Sequence, residues 1–229
     1  MSSYVIPPPP AIAVAVRGTS ALFPLRRIFC VGRNYEAHAR EMGATVDREA
    51  PFYFNKANLH YVPSGATVAY PGCTANYHYE MELVVALGGA AYQVPRSDAL
   101  AAVFGYACGL DMTRRDLQSA AKEKGRPWDT AKDFEDSAVV SVIVPAADIG
   151  HPSAGAIQLE VNGEPRQSSD LSLMIHSVPA IIADLSRFYH LQPGDIIFTG
   201  TPEGVGAVHP GDRITGRIAG IGELSLTIA

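Results

Sequence analysis

Hydrophobic positions in this chain fall mostly in short runs that alternate with polar residues or continue unbroken, and both patterns predict strands. Residues 25–31 (LRRIFCV), 104–110 (FGYACGL), 139–144, 157–161, 196–199, 213–218 and 224–228 read this way, with shorter extended pieces at 11–16, 53–55 and 67–70. Residues 79–87 (YEMELVVAL) alternate at first and then run apolar, as a strand does on entering a core. Helical spacing predicts a helix over residues 35–42 with Asn34 as its cap, another over 98–103, and one from Thr113 to about Lys122. Thr113-Arg-Arg-Asp116 has the spacing of a capping box. A fourth helix follows Ser177, where Val178, Ile181, Ile182, Leu185 and Phe188 share one face. Residues 123–136 form a polar connection, and Asn162-Gly163, Pro193-Gly194 and Pro210-Gly211 mark turns. Strands do not alternate regularly with helices, so the expected class is α+β and predominantly β. Pro7–Pro10 set the start apart, which divides the chain into an extension, residues 1–24, and a main domain, residues 25–229.

Composition narrows the possibilities. The chain has 229 residues, 47% of them hydrophobic, which fits one large domain. A net charge of −5 without basic clusters argues against a nucleic-acid surface. No apolar run approaches the length of a membrane span. The start lacks early Lys or Arg and is broken by prolines, unlike a signal peptide. Cys30, Cys73 and Cys108 are widely spaced in apolar surroundings and read as buried reduced thiols. A cytoplasmic location, with no membrane partner, is the expectation.

Carboxylates carry the main chemical signal. Glu80 and Glu82 are two apart on a predicted strand and therefore share a face. Like charges at the edge of an apolar run raise each other's pKa unless a cation lies between them, and a hard divalent ion suits carboxylate oxygens. Glu-x-Glu alone equally fits an exposed strand face. Asp111 closes the next strand, as a further acid or as a turn residue, and Arg115 and Gln118 share a helix face three apart. A guanidinium beside an amide makes a clamp for a carboxylate, although two solvated helix residues have the same spacing. His38 and Glu41 are also three apart, the arrangement of an imidazole oriented by a carboxylate, or of an incidental surface pair. Gly32 before that helix suits a mobile lid. The loop Thr199-Gly-Thr201-Pro-Glu-Gly204-Val-Gly206 offers backbone amides to an anion, or is a tight turn.

In combination these motifs resemble one family. Cys30-Val-Gly-Arg-Asn-Tyr35 with His38 and Glu41, Glu80-Met-Glu82, Gly109-Leu-Asp111-Met-Thr with Arg115 and Gln118, Lys132, and Thr199 to Gly206 follow the order of the fumarylacetoacetate hydrolase superfamily. The resemblance runs from about Leu25 to the C-terminus and is strongest to short bacterial members that cleave acylpyruvates. It implies a mixed β-sandwich roll with a few peripheral helices, and a homodimer. It implies that Glu80, Glu82 and Asp111 hold Mg²⁺ or Mn²⁺, with Ca²⁺ an in vitro substitute. Lys132 would stabilise oxyanion charge, Arg115 and Gln118 would orient the carboxylate of a 2-oxo acid, and Thr201 would bind substrate. His38, oriented by Glu41, would activate the water that cleaves a carbon–carbon bond, with fumarylpyruvate the expected substrate. Apart from the resemblance, Arg33 and Lys56 lie in glycine- and aromatic-flanked segments near the expected lid, where either would meet a second carboxylate. Oxaloacetate decarboxylation and isomerisation of 2-oxo diacids use the same scaffold, and a calcium-stabilised binding module is a reading from another class. The sequence departs from the family at Asn55-Lys56-Ala57, where proline commonly follows the lysine.

Overall fold

The computed structural model describes residues 4–43, 45 and 48–229. Residues 1–3 of the expected extension lie outside this range. Eight strands make the largest sheet. Seven run in the order Phe52–Lys56, Arg27–Gly32, Asp195–Phe198, Met81–Leu87, Val103–Asp111, Ala138–Val140 and Tyr61–Pro63, and Val144–Pro145 pairs beside Val103–Asp111. The sheet is mixed: Asp195–Phe198 is parallel to Arg27–Gly32 and antiparallel to Met81–Leu87. A second sheet of five strands runs Glu164–Asp170, Ala156–Val161, Arg213–Ile218, Gly222–Ile228 and Thr67–Val68. This is the predicted predominantly β architecture of packed, curled sheets with few helices.

Both faces of the large sheet are buried, which explains the unbroken apolar run in Met81–Leu87. Leu83, Val85 and Leu87 face the main core, shared with Ile157, Ile214, Leu224 and Leu226 of the second sheet. Val84 and Ala86 face the other way, into a cluster with Ile28, Cys30, Ala107 and Phe198. The hairpin of Ala13–Ala15 and Leu22–Pro24 covers that second cluster with Val14 and Phe23. The expected extension therefore divides: its proline segment is exposed, whereas residues from Ala13 onward bury side chains against the sheet.

Several expected details differ. Asn34 does not cap the first helix, Glu36–Glu41; its amide donates to the carbonyls of His176 and Thr199 and is buried. No capping box forms before the helix Arg115–Glu123, because Thr113 Oγ1 is taken by Lys132 and the Asp111 carbonyl. Asp116 instead accepts from Thr74 and the Ala75 N–H. The predicted helix over 98–103 is a single turn, Ala99–Ala102, after which strand begins at Val103. Phe188, on the apolar face of the helix Val178–Phe188, is 62% exposed, and Cys73 is exposed whereas Cys30 and Cys108 are buried. No helix among the described residues is long and apolar enough to cross a membrane.

Candidate active site

Strand register assembles the carboxylates. Met81 pairs with Leu110 and Glu82 with Gly109 in the antiparallel pair, so one strand begins where the other ends in Asp111. Glu80 sits at a break between Tyr77–Tyr79 and Met81–Leu87, and its carbonyl accepts the Asp111 N–H at 2.9 Å. The neighbouring strand Asp195–Phe198 ends at the same place, where Thr199 N donates to the Leu83 carbonyl and Gly200 N to Glu82 Oε2 at 2.7 Å. Arg27–Gly32 runs parallel beside it and delivers Arg33 and the His38 helix to this end of the sheet.

Glu80, Glu82 and Asp111 are buried, each offering a carboxylate oxygen within 4.8 Å of the others. Their cations are buried too. Lys132 Nζ donates to Glu80 Oε2 at 2.6 Å, Asp111 Oδ2 at 2.7 Å and Thr113 Oγ1 at 2.7 Å, which uses all three of its protons. Arg115 donates to Glu80 Oε1, and its Nη1 to Gln118 Oε1 at 2.6 Å. Burial alone would raise the Glu80 pKa; Lys132 and Arg115 outweigh it and hold the carboxyl well below the usual range. Burial likewise opposes the Lys132 charge, and Asp111 with Glu80 more than restores it, so its pKa is raised.

Glu82 has no such cation. Burial, then Asp111 and Glu80, push its carboxyl well above the ordinary value, against which the charge of Lys132, not paired with it, and then the Gly200 N–H act only in part. Asp111 Oδ1 is buried without a hydrogen-bond partner; the Lys56 ammonium is 2.9 Å away but off the hydrogen-bonding direction. An under-neutralised glutamate beside an aspartate oxygen with a spare lone pair is a set of hard donors that suits Mg²⁺ or Mn²⁺. The residues present fit a divalent cation.

The other expected site residues converge on the same place. Arg33, His38, Arg115, Gln118 and Thr201 line, with Glu80, Glu82 and Lys132, one cavity of about 30 Å³. Glu41 stands outside it and reaches His38 Nδ1 at 3.2 Å, while the Gly204 N–H donates to the Glu41 carboxylate at 3.1 Å. Burial lowers the His38 pKa below its ordinary 6.5, with Glu80 and Glu41 opposing in part, so the imidazole is neutral near pH 7. With Nδ1–H directed at Glu41, Nε2 carries the basic lone pair.

Three expectations need correcting or extending. Lys56 is not available to a second substrate carboxylate, because it is fully buried against Asp111 and donates to the Met112 and Lys132 carbonyls. Gly32, expected to suit a mobile lid, has a packing role: a Cβ there would lie 2.0 Å from the Phe52 ring, so glycine admits that ring against the backbone. Lys132 is set by a short helix, Asp129–Lys132, within the predicted polar connection.

Two neighbours of the site carried no sequence signal. His78, half-buried beside Arg115, has its pKa lowered to about 4 by burial and by that guanidinium. Its Nε2 meets Asn76 Oδ1 at 2.7 Å, which leaves Nδ1 to accept from Arg115 Nε at 3.4 Å. Gln167, from the polar strand Glu164–Asp170, accepts the Met81 N–H at 3.0 Å and donates to Thr201 Oγ1 and the Pro202 carbonyl, each at 2.9 Å.

Comparison with known proteins agrees with this geometry. The family model described as fumarylacetoacetate hydrolase, C-terminal, matches residues 27–229. Fumarylpyruvate hydrolase from Ralstonia sp is 58% identical over 189 residues, 82% of this chain and 98% of that protein. The human mitochondrial oxaloacetate tautomerase FAHD1 is 44% identical over 203 residues, 89% of this chain and 91% of its own. Among solved structures, fumarylpyruvate hydrolase from Pseudomonas aeruginosa, in complex with Mn²⁺ and pyruvate, superimposes with a TM-score of 0.96 at 49% identity, covering 99% of both chains.

Proposed function

The chain belongs to the fumarylacetoacetate hydrolase family, and within it we propose that the protein is a metal-dependent hydrolase that cleaves fumarylpyruvate to fumarate and pyruvate. The observation that carries this reading is the His38–Glu41 pair beside three buried carboxylates, one of whose oxygens has no hydrogen-bond partner. Held by Glu80, Glu82 and Asp111, Mg²⁺ or Mn²⁺ supplies Lewis-acid stabilisation of the 2-oxo acid end of the substrate.

The protein's own groups do the remaining work. Arg115 and Gln118 orient the substrate carboxylate, with His78 keeping the guanidinium in place. Thr201, held by Gln167, presents a hydroxyl to the same cavity. Lys132 keeps Glu80 and Asp111 together; an oxyanion role requires it to release one of these partners. His38 Nε2 takes a proton from water, and the hydroxide adds to the acyl carbonyl carbon. The bond from that carbon to the pyruvyl methylene then breaks, its electron pair going to the pyruvyl fragment as enolate. Fumarate leaves as the acid portion, and protonation of the methylene carbon gives pyruvate. A positioned general base contributes about 10²–10⁴-fold to such a step.

The similarity to oxaloacetate tautomerases favours a second reading, in which His38 moves a proton between carbon and oxygen of oxaloacetate without bond cleavage. We further place the enzyme in the cytoplasm as a homodimer, in aromatic catabolism on the gentisate route, with Mg²⁺ as its working ion. Metal-stripped protein tested on fumarylpyruvate, acetylpyruvate and oxaloacetate, with and without Mg²⁺ or Mn²⁺, separates the readings. Metal-dependent pyruvate release, greatest from fumarylpyruvate, supports hydrolysis. Enol–keto exchange of oxaloacetate without pyruvate from any acylpyruvate rejects it.

A further inference from the structure

An aromatic wall stands at the mouth of the cavity. Phe52 and Trp128 meet edge-on with centroids 5.4 Å apart, and Phe54 lies 6.0 Å from Trp128. These three rings line the carboxylate cavity and also an adjoining hollow of about 440 Å³. Large aromatic groups kept partly open beside a polar site are expected where a ligand covers them.

Two cations rest on this wall. The Arg33 guanidinium is 5.5 Å from the Phe52 centroid, and Lys122 Nζ is 5.2 Å from that of Trp128. A ring face holds a cation in position without neutralising it. Neither cation has a carboxylate partner among the described residues, and Arg33 Nε is buried without any hydrogen bond. Arg33 is also kept at φ 54, an uncommon backbone conformation for a side chain, and it faces the cavity from there. Burial, then Arg115 and Arg33, lower the Lys122 pKa to about 8, with Glu80 opposing in part. Of the acids lining the hollow, Asp133 is already bound by the Ala57 N–H and His60, and Asp129 is exposed.

We infer that Arg33, Lys122 and the Phe52–Trp128 wall form the subsite for the far end of the substrate, selecting a flat, conjugated acyl group that ends in a second carboxylate. This rests on the hydrolase reading above and supplies the diacid contact for which Lys56 is unavailable. The rings stack against the planar acyl chain; Arg33 meets its terminal carboxylate from the cavity it lines, and Lys122, which lines neither space and rests on the Trp128 ring, swings from that ring to join it. Removing one charge-assisted hydrogen bond from a partly buried carboxylate costs on the order of 10–100-fold in binding.

The test compares Lys122→Met and Lys122→Arg with the wild type. The expected result is that Lys122→Met lowers the ratio of kcat/KM for fumarylpyruvate to that for acetylpyruvate by about 10–100-fold, and that Lys122→Arg restores most of it. An unchanged ratio overturns the subsite. Trp128 is the single tryptophan, so its fluorescence gives a readout independent of turnover. Fumarate alone should perturb it saturably in wild type and far more weakly in Lys122→Met; no perturbation in wild type overturns the proposal. If wild type turns over no acylpyruvate while fumarate still binds in this Lys122-dependent way, the hydrolase reading fails and the subsite stands.

Discussion

The backbone N–H of Gly200 donates to Glu82 Oε2 at 2.7 Å, and it is the contact that ties the Thr199–Gly206 loop to the carboxylate without a cation of its own. Gly200 is at φ +98, and a Cβ there would lie 2.6 Å from Asn34 Cβ. Gly200→Ala therefore combines a strained backbone, about 1–3 kcal/mol, with displacement of the residue that links the loop to the His38 helix. The expected outcome is a lower Tm and weaker Mn²⁺ binding by calorimetry. Unchanged metal affinity would mean that this N–H does not orient Glu82.

His38 should set the acid limb of activity. Its pKa lies below 6.5 because burial disfavours the imidazolium. The neutral base is thus present at pH 7 and lost as pH falls through the lowered value, so kcat should decline only below about 6.5. A bound divalent cation nearby moves the limb further in the same direction. The same sign applies to stability: the unfolded chain takes up this proton first, so stability falls as pH drops below the unfolded value. His38→Ala should lower kcat by about 10²–10⁴-fold and leave Mn²⁺ affinity intact. Loss of metal affinity would remove the base assignment.

Lys132→Met tests whether this lysine holds the carboxylates together. It removes the cation between Glu80 and Asp111 and leaves two buried acids facing each other. Breaking a buried pair in this way costs about 3–5 kcal/mol. Added Mn²⁺ should recover part of that loss, so the gap between metal-free and metal-loaded Tm should widen in the variant. Equal gaps in variant and wild type would assign Lys132 to something other than ligand placement.

What could be read in the sequence was local. Glu80-Met-Glu82, His38 with Glu41, and Arg115 with Gln118 each lie within one element, where spacing fixes which side chains face together. What escaped reading depends on elements distant in the chain. Lys56 meets Asp111 only because the sheet curls, bringing an edge strand to the end of one four places away in strand order. The capping-box spacing at Thr113 and Asp116 was real, yet Lys132 and Thr74 claim those side chains first. The helix Asp129–Lys132 is one turn long, too short to leave a periodic signal.

The strand Glu164–Asp170 shows the same limit and yields the last prediction. Its sequence, EPRQSSD, has no alternating apolar face, because the residue it buries is Gln167. That amide joins the backbone between Glu80 and Glu82 to the loop bearing Thr201, through Met81 N on one side and Thr201 Oγ1 with the Pro202 carbonyl on the other. Gln167→Glu keeps the acceptor for Met81 and removes both donors, whereas Gln167→Leu removes everything. If Gln167 positions the substrate loop, Gln167→Glu should raise KM by about tenfold with a smaller fall in kcat, the loss of roughly one net hydrogen bond of about 1–1.5 kcal/mol. Gln167→Leu should add a fall in Tm, because the buried Met81 N–H between Glu80 and Glu82 loses its partner at a cost of about 1–3 kcal/mol. A purely structural role would lower Tm in both variants and leave the KM of the surviving folded enzyme unchanged, and steady-state kinetics beside thermal melts tells the two apart.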